Sequence, residues 1–303
     1  MKTVLITGGT GLIGMRLSAM LKARGYRLHL LSRSNKPVEN YDGVFTWDIN
    51  KGEIDLAALD GVTDIIHLAG AGIADSRWTE ERKELIINSR VQSLGIIEEA
   101  LRRRNQHISS LISGSAVGWY GARTDKMLHI EEEPAADDFM GETCRKWEFA
   151  ADSFADIADR IVKIRTGVVL AKDGGALASM KLPFKLFIGS PLGSGNQQIQ
   201  WIHLDDICRV LAEALEKQSF SGAYNASATE SCTNREFSKE LAKVMKRPLL
   251  PLTVPSFVLK ALFGEMSAVV LEGSRVSNKK LLKTGFEFQY VSLDTALENL
   301  LNP

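Results

Sequence analysis

A chain of 303 residues can bury a large core and suits one large α/β domain or two smaller ones. Its 37 lysines and arginines balance its 37 aspartates and glutamates, so it has no net positive charge to draw it onto nucleic acid. No apolar run reaches transmembrane length, and early glycines break the one segment that looks like a secretion signal, so no membrane role is expected.

The first predicted element is a buried strand, Val4-Leu5-Ile6, whose unbroken apolar run suits a parallel strand covered on both faces. Thr7-Gly8-Gly9-Thr10-Gly11-Leu12-Ile13-Gly14 follows, a glycine turn that opens an amphipathic helix. Gly8 permits the tight turn, Gly11 lets backbone approach a ligand, and Gly14 lets helix pack on strand. The free N–H groups and positive dipole end of that helix suit a pyrophosphate, so this stretch predicts a dinucleotide site. The spacing is G-x-x-G-x-x-G, not the G-x-G-x-x-G of most dehydrogenases.

A second strand, Leu28 to Leu31, ends at Ser32-Arg33-Ser34. An NAD site usually carries a carboxylate here for the ribose 2′-hydroxyl; an arginine between two hydroxyls suits a 2′-phosphate, which favours NADP over NAD. The third strand, Val44 to Asp48, ends on an aspartate that suits either the adenine amino group or an ordinary turn. The fourth, Ile65 to His67, ends in Leu68-Ala69-Gly70, small enough for a flat cofactor to lie across. His67 reads as a packed core histidine. The long loop 71–79 and the helix of about residues 80–104 present Arg77, Trp78 and Arg90 as candidate substrate contacts.

The fifth strand and its exit, residues 111–121, carry Ser113, Ser115 and Tyr120. Here the chain resembles an extended short-chain dehydrogenase/reductase, the group of nucleotide-sugar epimerases and dehydratases. The resemblance rests on Thr7 to Gly14, His67 to Gly70, Ser113 to Gly121, Arg165-Thr166-Gly167, Trp201 to Asp206 and Gly222 to Asn225. It implies a Rossmann-type doubly wound parallel sheet with a smaller, mainly helical C-terminal substrate lobe. It assigns residues 1–167, joined by 204–226, to the NADP-binding domain, and 168–203 with 227–303 to the lobe. Ser113 falls in the cofactor site, Ser115 at the reacting oxygen, and Trp201 and His203 near the substrate. It also implies pairing of two copies through the helix of residues 140–158.

One departure is chemical. The family's proton donor is a tyrosine with a lysine four residues on, and the helix that carries them follows Asp137 and Asp138. If Glu148 takes the place of the family's glutamate, the tyrosine and lysine places hold Met140 and Cys144, which cannot do that work. An atypical epimerase-family branch shares this pattern. Tyr120 is then the first candidate to carry the proton, ahead of Glu142, Lys146 and His203. Two functions compete: an NADP-dependent oxidoreductase or epimerase on a small or nucleotide-linked substrate, and a non-catalytic NADP(H) sensor. Three cysteines without paired spacing point to free thiols and a reducing cytoplasm, and five scattered histidines to no metal.

Overall fold

A computed structural model describes residues 2–124 and 127–302. Its centre is an eight-stranded sheet: β1 (Thr3–Thr7), β2 (Arg27–Ser32), β3 (Gly43–Asp48), β4 (Glu53–Ile54), β5 (Val62–His67), β6 (Ser110–Ala116), β7 (Ile161–Thr166) and β8 (Gly222–Ala226). The spatial order is β8-β7-β6-β5-β1-β2-β3-β4, and every pair is parallel except β3 with the short edge strand β4. Strand order reverses at β1, so the chain leaves β1 and β5 toward opposite faces of the sheet, and such a reversal makes the carboxyl edge the place for a ligand crevice.

The two-residue period of β1 divides the core. Val4 and Ile6 enter one cluster with Leu17 and Leu21 of helix α1 (Leu12–Ala23). Leu5 enters the other, with Leu94, Ile97 and Leu101 of α2 (Glu80–Arg103) and Trp147 and Ala151 of α3 (Phe139–Asp152). Helix α4 (Leu204–Glu216) brings Ile207, Leu211 and Leu215 to the α1 face. The chain after β7 thus returns to the sheet through α4 and β8.

A third cluster serves a smaller, mainly helical region. Leu177, Phe184 and Trp201 pack there with Phe237 and Leu241 of α5 (Asn234–Val244) and with Leu293, Leu297 and Leu300 of α7 (Leu293–Leu301). Thr233 and Glu236 form a reciprocal capping box that starts α5. Between these lies α6 (Ser256–Phe263), whose last carbonyls meet the loop after β5. Arg77 donates from Nε to the Leu262 carbonyl at 2.7 Å and from Nη2 to that of Ala261 at 2.6 Å. Lys83 pairs with Glu265 at 2.6 Å beside it. These contacts tie the smaller region to the mouth of the crevice. Among the described residues, no helix is long and apolar enough to cross a membrane.

Candidate functional site

The crevice begins at the glycine turn. Gly8 has φ +68°, a left-handed conformation that costs a side-chain-bearing residue strain. A Cβ there would also fall 2.6 Å from the Leu68 carbonyl carbon, so the loops after β1 and β5 touch across this glycine. At Gly14 a Cβ would lie 2.5 Å from the Gly8 carbonyl oxygen, which fixes how closely α1 sits on its loop. Gly8→Ala is therefore expected to cost about 1–3 kcal/mol of stability, read from its urea midpoint, and to weaken dinucleotide binding.

Helix α1 starts differently from its neighbours. Thr79 caps α2 by accepting from Arg82 N, Asp138 caps α3 by accepting from Gly141 N, and His203 caps α4 by accepting from Asp205 N. Gly11 stands at the cap of α1 with no side chain to offer, and no acid lies in the first turn. Among the described residues, no hydrogen bond reaches the N–H groups of Leu12, Ile13 or Gly14. Three donors and the positive end of the helix dipole thus point at the crevice, an arrangement made for an anion.

The other residues expected around a cofactor take several positions. Thr10 and Gly11 are exposed at the tip of the loop. Gly9 is buried, and its carbonyl accepts from the Tyr41 hydroxyl at 3.2 Å. The Thr7 hydroxyl is buried and accepts from Ala69 N at 3.2 Å, holding the two loops together. Ser32 ends β2, and Arg33 and Ser34 follow it, exposed; no ion pair engages Arg33 among the described residues. Asp48 Oδ1 accepts from Asn50 N at 3.0 Å and Lys51 N at 3.3 Å, a turn role. Leu68, Ala69 and Gly70 lie just past β5, where Arg90 fills the space beside Gly70. Ser113 is buried within β6 and donates to the Gly114 carbonyl at 3.0 Å.

Both expected catalytic residues sit in one buried network. Ser115 Oγ donates to Glu148 Oε1 at 2.7 Å. The same carboxylate accepts from Arg165 Nε at 2.8 Å and Nη2 at 3.0 Å. Arg165 Nη1 reaches the Tyr120 hydroxyl and the Glu131 carbonyl, each at 3.0 Å. Tyr120 in turn donates to Asn225 Oδ1 at 2.9 Å, and Asn225 N donates to Glu131 Oε1 at 2.9 Å. Burial pushes the Tyr120 phenol up to about 12 despite the nearby guanidinium, so it holds its proton at neutral pH. Burial alone would pull Arg165 down, but its hydrogen bonds to the Glu148 carboxylate and that group's charge raise it.

Met140 and Cys144, one helical turn apart, face the exit of β6. A Cβ on Gly118 would lie 3.4 Å from Met140 Cβ and 3.7 Å from Cys144 Sγ, and Sγ reaches the Ala116 carbonyl at 3.6 Å. Burial pushes this thiol up to about 12, so it stays neutral. Glu142 and Lys146 pair with each other at 2.8 Å on the outer face. All three cysteines are free and buried.

Two of the expected substrate contacts are engaged within the protein. Trp201 is only 1% exposed inside the smaller region and has no face left for a substrate ring. His203 spends Nδ1 on the α4 cap, meets Asn299 Oδ1 through Nε2 at 3.2 Å and stacks on Tyr290 at 3.7 Å between ring centroids. Trp78 donates to the Ile73 carbonyl at 2.8 Å and packs edge-on against Phe139. Arg77 is the clasp onto α6 described above. Arg90 packs beside Gly70 and over the Trp147 ring, with no acidic partner among the described residues. His67 is neutral, held down to about 3 by burial and then by Arg90, and meets the Ser93 hydroxyl at 2.7 Å. No group of three or more His, Cys, Asp or Glu side chains among the described residues is placed to hold a metal.

The NAD dependent epimerase/dehydratase family model matches residues 4–144, and a domain of unknown function, DUF1731, matches residues 254–300. The chain is 36% identical to the chloroplastic epimerase family protein SDR39U1 homolog of Arabidopsis thaliana, over 99% of this chain and 86% of the relative. The chain belongs to the epimerase family. It is 32% identical to the epimerase family protein YfhF of Bacillus subtilis, over 98% of this chain and 97% of that one. The crystal structure of human epimerase family protein SDR39U1 with NADPH superposes with a TM-score of 0.86 at 33% identity, covering 99% of each chain. The nucleoside-diphosphate sugar epimerase of Corynebacterium glutamicum gives 0.79 at 30% identity, over 99% of this chain and 58% of that longer one.

Proposed function

We propose that this epimerase-family protein binds NADP(H) and acts as an oxidoreductase or epimerase on a small or nucleotide-linked substrate. The observation that carries the reading is the uncapped amino terminus of α1, where Leu12, Ile13 and Gly14 offer free N–H groups beside a glycine wall. These groups fit a pyrophosphate, and the unpaired, exposed Arg33 fits a 2′-phosphate. The NADPH in the human relative's crystal structure supports the same choice. In this reading residues 1–167 and 204–226 hold the cofactor, and residues 168–203 and 227–303 form the substrate lobe. The free thiols fit a reducing cytoplasm. Phe149, 78% exposed on α3, supports pairing of two copies through that helix.

NADP(H), when bound, supplies or accepts the hydride. The chain's own part is the proton. Ser115 gives its hydrogen to Glu148, so its oxygen is left to accept one from a substrate hydroxyl. As the substrate loses hydride, its proton passes to Ser115 Oγ while the Ser115 proton moves to Glu148. Arg165 fixes the carboxylate through two bonds. Tyr120, held between Asn225 and Arg165, positions the network and keeps its own proton.

The test is a titration with NADPH and NADH followed by nicotinamide fluorescence. NADPH is expected to bind about ten- to a hundredfold tighter, with Arg33→Ala removing the preference, because one charge-assisted phosphate contact is worth about 1.5–3 kcal/mol. Equal binding of NADH overturns the 2′-phosphate assignment, and binding of neither overturns the cofactor site. A second reading, a non-catalytic NADP(H) sensor, draws support from Met140 and Cys144 at the exit of β6, neither of which can donate as the family's pair does.

A further inference from the structure

Arg90 is a cation with half of its hydrogen-bonding fork unused. It rises from the inner face of α2, half-buried, and lies over the Trp147 ring, 4.9 Å from guanidinium carbon to ring centroid. Its side chain packs against Gly70 so closely that a Cβ there would fall 2.9 Å from Arg90 Cζ. Nη1 donates to the Ile86 carbonyl at 2.7 Å; no bond engages Nε or Nη2 among the described residues. The groups around it supply no negative charge. His67 and Cys144 stay neutral, and Arg82 adds a second positive charge whose own partner is Asp75 at 3.2 Å.

Among the described residues every other buried or half-buried guanidinium bonds a carboxylate or several carbonyls, though Arg82 Nε and Arg160 Nε are also without a partner. Arg165 has Glu148, Arg82 has Asp75, and Arg160 bonds the carbonyls of Ala214, Leu215 and Phe220. A desolvated guanidinium without such partners is costly, and an anion arriving in the crevice relieves that cost. The phosphates of the dinucleotide have their own partners at α1 and after β2. Arg90 stands on the other side of β1, at the loop leaving β5, next to β6. Trp147 bridges it to the reacting end, because a Cβ on Gly114 would lie 3.0 Å from Trp147 Cζ2, one residue before Ser115.

We propose that Arg90 binds a carboxylate of the substrate, which makes the substrate a hydroxy acid or oxo acid, sugar acids included. The proposal rests on the NADP(H) reading above and gives its substrate class. The unused Nε and Nη2 form the edge of the fork that takes two carboxylate oxygens through parallel bonds. One indole separates that edge from the strand end of Ser115.

The test uses calorimetric titration of the full chain with malonate and with neutral malonamide, with and without saturating NADPH. Malonate is expected to bind and malonamide not. Arg90→Met weakens malonate about ten- to a hundredfold, Arg90→Lys weakens it less, and both variants keep wild-type NADPH affinity. Equal malonate binding by wild type and Arg90→Met, or none by wild type, overturns the proposal. So does tighter binding of inorganic phosphate than of malonate, which would move the ligand to a phosphoryl group, or loss of NADPH affinity in both variants, which would move Arg90 to the cofactor. If the wild type fails to bind NADPH, the reading beneath falls, while the malonate titration of the free chain still decides the role of Arg90.

Discussion

Arg165→Met is expected to lower the unfolding free energy by about 3–5 kcal/mol, the usual cost of removing one partner of a buried ion pair. The side chains of Arg165 and Glu148 are only 3% and 4% exposed. Without the guanidinium, the Glu148 carboxylate keeps a single partner, the Ser115 hydroxyl. Tyr120 loses one of its two hydrogen bonds, and the Glu131 carbonyl loses a donor. Trp119 loses the cation that stacks 3.8 Å from its ring centroid. The double variant Arg165→Met with Glu148→Leu is expected to recover much of the loss, since it removes both charges. Urea denaturation of the two singles and the double closes the cycle. Simple additivity would mean that the pair is not coupled and that Glu148 is satisfied by some other group.

Much of this fold was legible because its signals are local. Val4 to Ile6 had to be covered on both faces, and Gly8 needed φ +68°, which glycine adopts freely. The strand that carries Ser113 and Ser115 was also readable. The short edge strand β4 was not, because two residues carry no period. The buried network was not legible either. Glu148 and Arg165 lie 17 residues apart, and Tyr120 and Asn225 meet across 105. Only the neighbouring positions of β6, β7 and β8 bring them together. One signal was available: Glu148 on the helix that also carries Met140 and Cys144, a carboxylate with no lysine beside it on the inner face. Trp201 and His203 show the opposite case. Polar and aromatic residues beside a family motif suggest ligand contact, yet one fills a core and the other caps a helix.

Ser115→Ala is expected to slow hydride transfer about 10²–10³-fold, the range for losing one positioned hydrogen-bonding group at a reacting oxygen. Tyr120→Phe should leave the rate far closer to wild type. Tyr120 is only 2% exposed, and both of its hydrogen bonds go to other members of the buried network. Burial holds it protonated up to about 12, so it has no charge to lose between pH 6 and 10, and the pH profiles of the wild type and Tyr120→Phe should overlay in that range. Glu148→Gln keeps the shape of the acceptor while removing its basicity. It should therefore fall with Ser115→Ala if Glu148 takes the proton, and stay near wild type if it only orients Ser115. Transfer of deuterium from labelled NADPH into a pool of small oxo acids, read by mass spectrometry, reports all four proteins on one scale. Unchanged transfer by Ser115→Ala would remove Ser115 from the mechanism. Absence of label with the wild type, in a protein that still binds NADPH, would favour the sensor, in keeping with the thioether of Met140 and the neutral thiol of Cys144 at the exit of β6.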